Sequence, residues 1–171
     1  EQLLTFAHND PSRLAARPVD LSHVAPKAIA MARVGTTGDA ISTRFEPAPR
    51  VMARESDLVQ LILNLLVNAI HATDGRGPIQ VEIGPADGGT ALRVLDRGPG
   101  IPPDVLVHVF DPFFTTKPAG AGTGLGLSLS YDLARQHGGR LEADNRAHGG
   151  AVFTLWLPGH AESHAGADLD N

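Results

Sequence analysis

Hydrophobic and polar positions recur with different periods along this chain, and each period predicts an element. Leu21, Val24, Ala25, Ala28, Ile29 and Ala32 repeat at helical spacing, which predicts a helix that stops at Gly35. Upstream, Glu1–His8 reads as the end of another helix, stopped by Asn9-Asp-Pro11, and residues 12–20 read as a linker rich in Arg, Ala and Pro. Ile41–Phe45 and Val51–Ala53 predict short strands. Ser56–Thr73 predicts a long helix, with Ser56 as N-cap and Asp57 favourable in the first turn; Asp74-Gly-Arg-Gly-Pro78 ends it. Ile79–Ile83 and Ala91–Asp96 alternate as strands around the turn Asp87-Gly-Gly89. Residues 97–123 are irregular apart from a short helix at Pro103–Val107. Gly124–His137 predicts a helix stopped by Gly138-Gly139, and Arg140–Asp144 with Ala151–Leu157 a closing hairpin around His148-Gly-Gly150. From Gly159 the residues are small and polar, which predicts a disordered tail. This order predicts an α/β sandwich: a mixed β-sheet covered on one face by helices.

The long helix breaks its own pattern in an informative way. Ten apolar residues between Leu58 and Ile70 cover nearly all of its circumference, which predicts burial. Yet Gln60, Asn64, Asn68 and His71 fall at i, i+4, i+8 and i+11, a single stripe. A buried amide without a partner costs about 1–3 kcal/mol, so the stripe implies something polar opposite it. That is either an internal amide network or a ligand edge, and an Asn carbonyl oxygen suits Mg²⁺.

Three further segments carry candidate chemistry. Gly120-Ala-Gly-Thr-Gly-Leu-Gly-Leu-Ser128 places glycines at 120, 122, 124 and 126, directly before an apolar helical run. Free backbone N–H groups and a helix N-terminus together suit phosphate. The run lacks the Gly-Lys-Ser/Thr of a P-loop, and its spacing does not match the dinucleotide fingerprint. Leu95-Asp96-Arg-Gly98-Pro-Gly100-Ile101 puts an Asp at a strand end, able to accept from an exocyclic amine, before two glycines that let a flat ring approach; it is equally an ordinary Asp-Gly turn. In Phe110-Asp-Pro-Phe113-Phe114-Thr115-Thr116-Lys117, Phe110 and Phe113 read as anchors of a satellite core, and Thr115, Thr116 and Lys117 as groups able to reach phosphate oxygens.

Composition narrows the field. A net charge of −5 without a basic stripe argues against nucleic acid as a partner. The chain has no cysteine, which excludes disulfides and thiol chemistry and fits a reducing compartment. The longest apolar run, Leu58–Ile70, is broken by Asn64 and Asn68 and is too short to span a membrane. Starting at Glu, the chain reads as part of a longer protein. His160 and His164 have helical metal spacing, but in a tail expected to lack structure.

At these residues the chain resembles the GHKL ATPases. Asn64-Leu-Leu-Val-Asn68-Ala resembles their N box, Asp96-Arg-Gly-Pro-Gly100 the G1 box, Phe110–Lys117 the F box and Gly122-Thr-Gly-Leu-Gly126-Leu the G2 box, in the family's order. The wording is most similar to sensor histidine kinases of the nitrogen-regulation and oxygen-sensor type. The resemblance covers residues 18–158 and implies a Bergerat-type ATP-binding domain with a mobile lid, preceded by the end of a dimerisation-domain helix and a linker at 1–17 and followed by a disordered tail at 159–171. It implies Asn68 as the principal Mg²⁺ ligand with Asn64 assisting, His71 facing the phosphates, Ala72 in the ATP site, and Asp96 on the adenine amine. Gly98, Gly100 and Ile101 would floor the ring, with Thr115, Thr116 and Lys117 in the lid. Gly122, Thr123, Gly124, Leu125, Gly126 and Leu127 would carry the phosphates.

Asn64 stands where relatives that hydrolyse ATP with water carry a Glu base, so the resemblance implies transfer to a protein acceptor. At Gly150-Ala151 many relatives have Gly-Thr, whose hydroxyl would help a water bridge Asp96 to adenine. The implied partners are the chain's own dimerisation domain, which carries the acceptor His and makes the full protein a homodimer, and a response regulator. The implied location is cytoplasmic, with this piece monomeric. A serine kinase of the anti-sigma type and a regulatory nucleotide-binding module are the rival readings.

Overall fold

The computed structural model describes residues 15–35, 40–116 and 123–160. A five-stranded sheet runs in the order β2 (Ile41–Phe45), β4 (Ile79–Ala86), β5 (Gly89–Leu95), β7 (Ala151–Pro158), β6 (Arg140–Asn145). The first pair is parallel and the rest antiparallel, so the sheet is mixed. Alternation decides its two faces. Val81, Val94, Phe153 and Leu155 are buried on one, whereas Glu82, Arg93, Thr154 and Glu142 line up across four strands on the other. Helices α1 (Leu21–Ala32), α2 (Glu55–Ala72) and α4 (Gly126–Gln136) cover the apolar face, as the predicted sandwich requires. A four-residue turn of helix, α3 (Pro103–Leu106), lies in the irregular region.

Local chemistry explains the boundaries. Asp20 caps α1 by accepting the Ser22 N–H at 2.8 Å. Pro26 sits inside α1 on its exposed side, where water can serve the carbonyl that loses a donor. The turn between β4 and β5 has Asp87 and Gly88 both at positive φ, the geometry that suits a two-residue hairpin. Helix α4 ends on Gly138 at φ +74°, with Gly139 N–H donating to Ala134 O at 2.9 Å.

Several expectations need correction. Arg17–Val19 is not linker but a strand, β1, paired antiparallel with β3 (Val51–Ala53). Three residues with one buried side chain carry no readable alternation, and Pro18 suits a strand in so small a sheet. Ser56 does not cap α2. Arg54 holds the N-cap position, and the helix start is served instead by Glu55 and Asp57 in its first turn. Hydrogen bonds from Lys27 and Arg17 converge on Glu55 and hold its carboxyl below the usual range, joining α1 and β1 to α2. Helix α4 starts at Gly126, because Gly124 is left-handed at φ +66°. Gly159 still bridges Val51, and His160 N–H donates to Arg50 O at 2.6 Å, so the ordered chain passes the expected start of the tail. The expected helix end at 1–8, the middle of the expected lid with Lys117 and Gly122, and His164 lie outside the described residues.

Candidate functional site

Helix α2 is the wall on which the site is built. Leu58, Leu61, Ile62, Leu65, Leu66, Ala69 and Ile70 are buried, and this face fixes the helix against the sheet. Its circumference is not sealed, however, because Val67 remains 39% exposed. The polar stripe therefore opens on a cleft of about 340 Å³, lined by Asn64, Asn68 and His71. Across it stand Phe114, Thr115 and Thr116 from the loop after α3, and Thr123, Gly124, Gly126 and Leu127 at the start of α4.

The two asparagines, one turn apart, are differently placed. Asn64 Nδ2 donates to Gly126 O at 3.0 Å and to Ser130 Oγ at 3.1 Å, and its Oδ1 accepts from Gln60 Nε2 at 3.0 Å. Ser130 is fully buried and passes its own proton to Gly126 O at 2.8 Å. Asn64 thus fastens the first turn of α4 to α2. Asn68 is half-buried in the cleft, and among the described residues its amide has no hydrogen-bond partner. The stripe thus divides: Asn64 belongs to an internal network, and Asn68 lines the cleft with its amide unbonded among the described residues.

Opposite Asn68, α4 begins without a cap. Leu125 at the N-cap makes no side-chain hydrogen bond, and the first turn carries no acid. Its leading N–H groups have no acceptor within the helix, and the helix dipole adds partial positive charge. The loop before it is held by close backbone contact. Phe113 N–H donates to Gly124 O at 3.0 Å, and a Cβ on Gly124 would stand 2.5 Å from the Phe113 carbonyl carbon.

The phenylalanines divide otherwise than expected. Phe110 is an anchor, stacked on Tyr131 at 5.2 Å and edge-on to Phe153 at 6.3 Å. Phe113 is not: it is 74% exposed at φ +65°, because its backbone turns outward to meet Gly124. Phe114 faces the cleft instead, tilted against His108.

The loop after β5 lies at the C-terminal end of α2, off the cleft lining. Asp96 is 1% exposed, and its Oδ1 accepts the N–H groups of Gly98 at 2.8 Å and Ala151 at 3.1 Å. The Ala151 backbone thereby does part of the positioning, without a hydroxyl. Gly98 lies against Ala72, where a Cβ would be 2.6 Å from the Ala72 carbonyl oxygen, so a close helix approach demands this glycine. Asn145 bonds both backbone groups of Ile101, and Arg146 Nη1 donates to Asp96 O at 2.6 Å. Sequence reasoning missed Asn145, Arg146 and Ser130. The first two read as hairpin residues and the third as a helical serine, and only tertiary contact reveals their reach.

No cluster of three or more His, Cys, Asp or Glu able to hold a metal occurs among the described residues. No described helix is long and apolar enough to cross a membrane.

A mixed sheet roofed on one face by helices, with an asparagine stripe and an uncapped helix start across one cleft, defines an α/β sandwich of the Bergerat type. The model of the histidine kinase-, DNA gyrase B- and HSP90-like ATPases matches residues 53–161. Sensor histidine kinase ZraS of Escherichia coli (strain K12) is 36% identical over 151 residues, 86% of this chain and 32% of that protein. Two-component sensor PprA of Pseudomonas aeruginosa is 39% identical over 166 residues, 91% of this chain and 18% of that protein. Among solved structures, the mycobacterial sensor histidine kinase MprB matches with a TM-score of 0.74 at 30% identity, over 86% of this chain and 99% of that one. Full-length ShkA in complex with AMPPNP matches at 0.73 and 26% identity, over 86% of this chain and 32% of that one. The chain belongs to the family of histidine kinase-, DNA gyrase B- and HSP90-like ATPases, and spans about a third of the length of ZraS.

Proposed function

We propose that this chain is the ATP-binding catalytic domain of a two-component sensor histidine kinase. It would deliver the γ-phosphoryl group of ATP to a His on its own dimerisation domain, for relay to a response regulator. The observation that carries this reading is Asn68: a cleft amide with no hydrogen-bond partner among the described residues, facing a helix start without a side-chain cap. Asn68 Oδ1 fits a cation that takes its remaining oxygens from phosphates and water. The donor set suits Mg²⁺ brought in with the nucleotide, since the described residues offer no acidic cluster to hold the ion alone. When bound, Mg²⁺ would neutralise phosphate charge. Asn64, already bonded on both sides, is better suited to holding α4 than to assisting as a ligand.

The N–H groups at Gly124–Leu127, the hydroxyls of Thr115, Thr116 and Thr123, and Lys117 would take the phosphate oxygens. His71 would stand beside them from α2, whereas Ala72 abuts Gly98 under the loop where Asp96 would read the base over Gly98, Gly100 and Ile101. Phosphoryl transfer needs mainly position and charge neutralisation, which these groups supply. Asn64 cannot take a proton from water, so hydrolysis lacks its base and a protein imidazole is the expected acceptor. The γ-phosphoryl bond to ADP breaks as the bond to the imidazole nitrogen forms. The test supplies a separate dimerisation domain and labelled ATP. Slow phosphate release alone, with labelled phosphohistidine on the added domain, is expected. Brisk release by this chain alone, lost in Asn68→Ala, would make it an ATPase instead.

A further inference from the structure

The loop read as the base site is held from beneath by side chains outside the four motifs. Asn145, the last residue of β6, faces Ile101: its Oδ1 accepts the Ile101 N–H and its Nδ2 donates to the Ile101 carbonyl, both at 2.7 Å. One carboxamide thereby supplies a complete two-bond rung at the point where β6 ends. Gly100, at φ +81°, lies so near that a Cβ there would be 2.8 Å from Asn145 Oδ1. The next residue adds a second hold, because Arg146 Nη1 donates to Asp96 O at 2.6 Å. Arg146 N–H in turn accepts its place in the hairpin by donating to Gly150 O at 2.9 Å. Both ends of the segment Asp96–Ile101 are therefore pinned to adjacent residues of one hairpin.

We propose that Asn145, backed by Arg146, is a positioning residue for base recognition. It fixes the pitch of the loop so that Asp96 meets a purine amine rather than a purine carbonyl. The inference rests on the ATP-binding reading of the site. Asn145 is exposed, does not line the cleft and hydrogen-bonds Ile101 rather than the Asp96 carboxylate, so it acts through Ile101. The rung needs an acceptor and a donor on one side chain. Aspartate keeps only the acceptor, and alanine keeps neither.

The test compares wild type, Asn145→Ala and Asn145→Asp. It reads displacement of a fluorescent ATP analogue by Mg·ATP, Mg·GTP and Mg·tripolyphosphate, with thermal denaturation and hydrogen exchange at the Ile101 amide. In Asn145→Ala the Ile101 amide exchanges faster, and ATP affinity falls roughly three- to tenfold for the two lost bonds. The preference for ATP over GTP narrows by a similar factor, while tripolyphosphate affinity and Tm stay at wild-type values. Asn145→Asp falls between. Unchanged selectivity in Asn145→Ala overturns the inference, and so does an equal loss of ATP and tripolyphosphate with a lowered Tm. A wild type that itself fails to bind Mg·ATP overturns the kinase reading and this inference together. A wild type that binds it, beside an unchanged Asn145→Ala, overturns this inference alone.

Discussion

The two ends of the site, both resting on α2, are built on opposite principles. At the C-terminal end of α2 the Asp96 loop is held on every side: by Gly98 and Ala151 at the carboxylate, by Arg146 at the carbonyl and by Asn145 at Ile101. At the cleft, hydrogen-bonding capacity is left over: Asn68 has no partner among the described residues, α4 starts uncapped, and Phe113 projects outward from a left-handed backbone. On the proposed ATP-binding reading, a rigid base that must be told from other bases benefits from a fixed reader. On the same reading, a phosphate chain benefits from donors that are already aimed and mostly not yet engaged. The contrast is one of rigidity against readiness, and single substitutions separate the two.

The largest expected effect lies at the fixed end. Gly150 sits at φ +89°, and a Cβ there would stand 2.0 Å from the Asp96 carbonyl oxygen, a clash with backbone. Gly150→Ala should cost more than about 2 kcal/mol and abolish ATP binding as the loop shifts. Chemical denaturation with nucleotide titration reads both, and a variant of wild-type stability would show that this end is not fixed. The next effect lies at the joint between the ends. Asn64→Ala removes three hydrogen bonds and leaves Ser130 and Gly126 O to each other, at a cost of about 1–3 kcal/mol. Its melting temperature should fall, and nucleotide affinity should fall with it because the start of α4 loosens. Loss of affinity without loss of stability would instead make Asn64 a ligand contact. The smallest effect lies at the open end. Phe113→Gly relieves a left-handed bulky residue whose ring is 74% exposed, so stability should hold or rise by under about 1 kcal/mol. A clear loss of stability would return Phe113 to the role of anchor.

What was legible in the sequence followed from period and motif. Leu21–Ala32, α2, the β4–β5 turn and the closing hairpin repeat with a regular period or end on glycines, and they form where expected. The asparagine stripe was legible because amides on an apolar helix demand a reason. Its division into a fastener and an open amide was not, because that depends on where Ser130 and Gly126 arrive from 62 residues or more away. Strand β1 was too short to show alternation. Phe110 and Phe113 look alike in sequence, and only the backbone turn at Gly124 sends one inward and the other out. Gly98 was read as making room for a ring, yet the structure adds a constraint of its own, the Ala72 carbonyl.

The central claim, that Asn68 is held open for a ligand while its neighbour Asn64 is structural, is tested most directly by Asn68→Ala. Thermal denaturation without nucleotide and titration with a fluorescent ATP analogue, with and without Mg²⁺, are made on the same preparation. Asn68→Ala should keep the wild-type melting temperature and lose Mg²⁺-dependent binding. A wild-type affinity in Asn68→Ala, or a melting temperature that falls as far as that of Asn64→Ala, would contradict it.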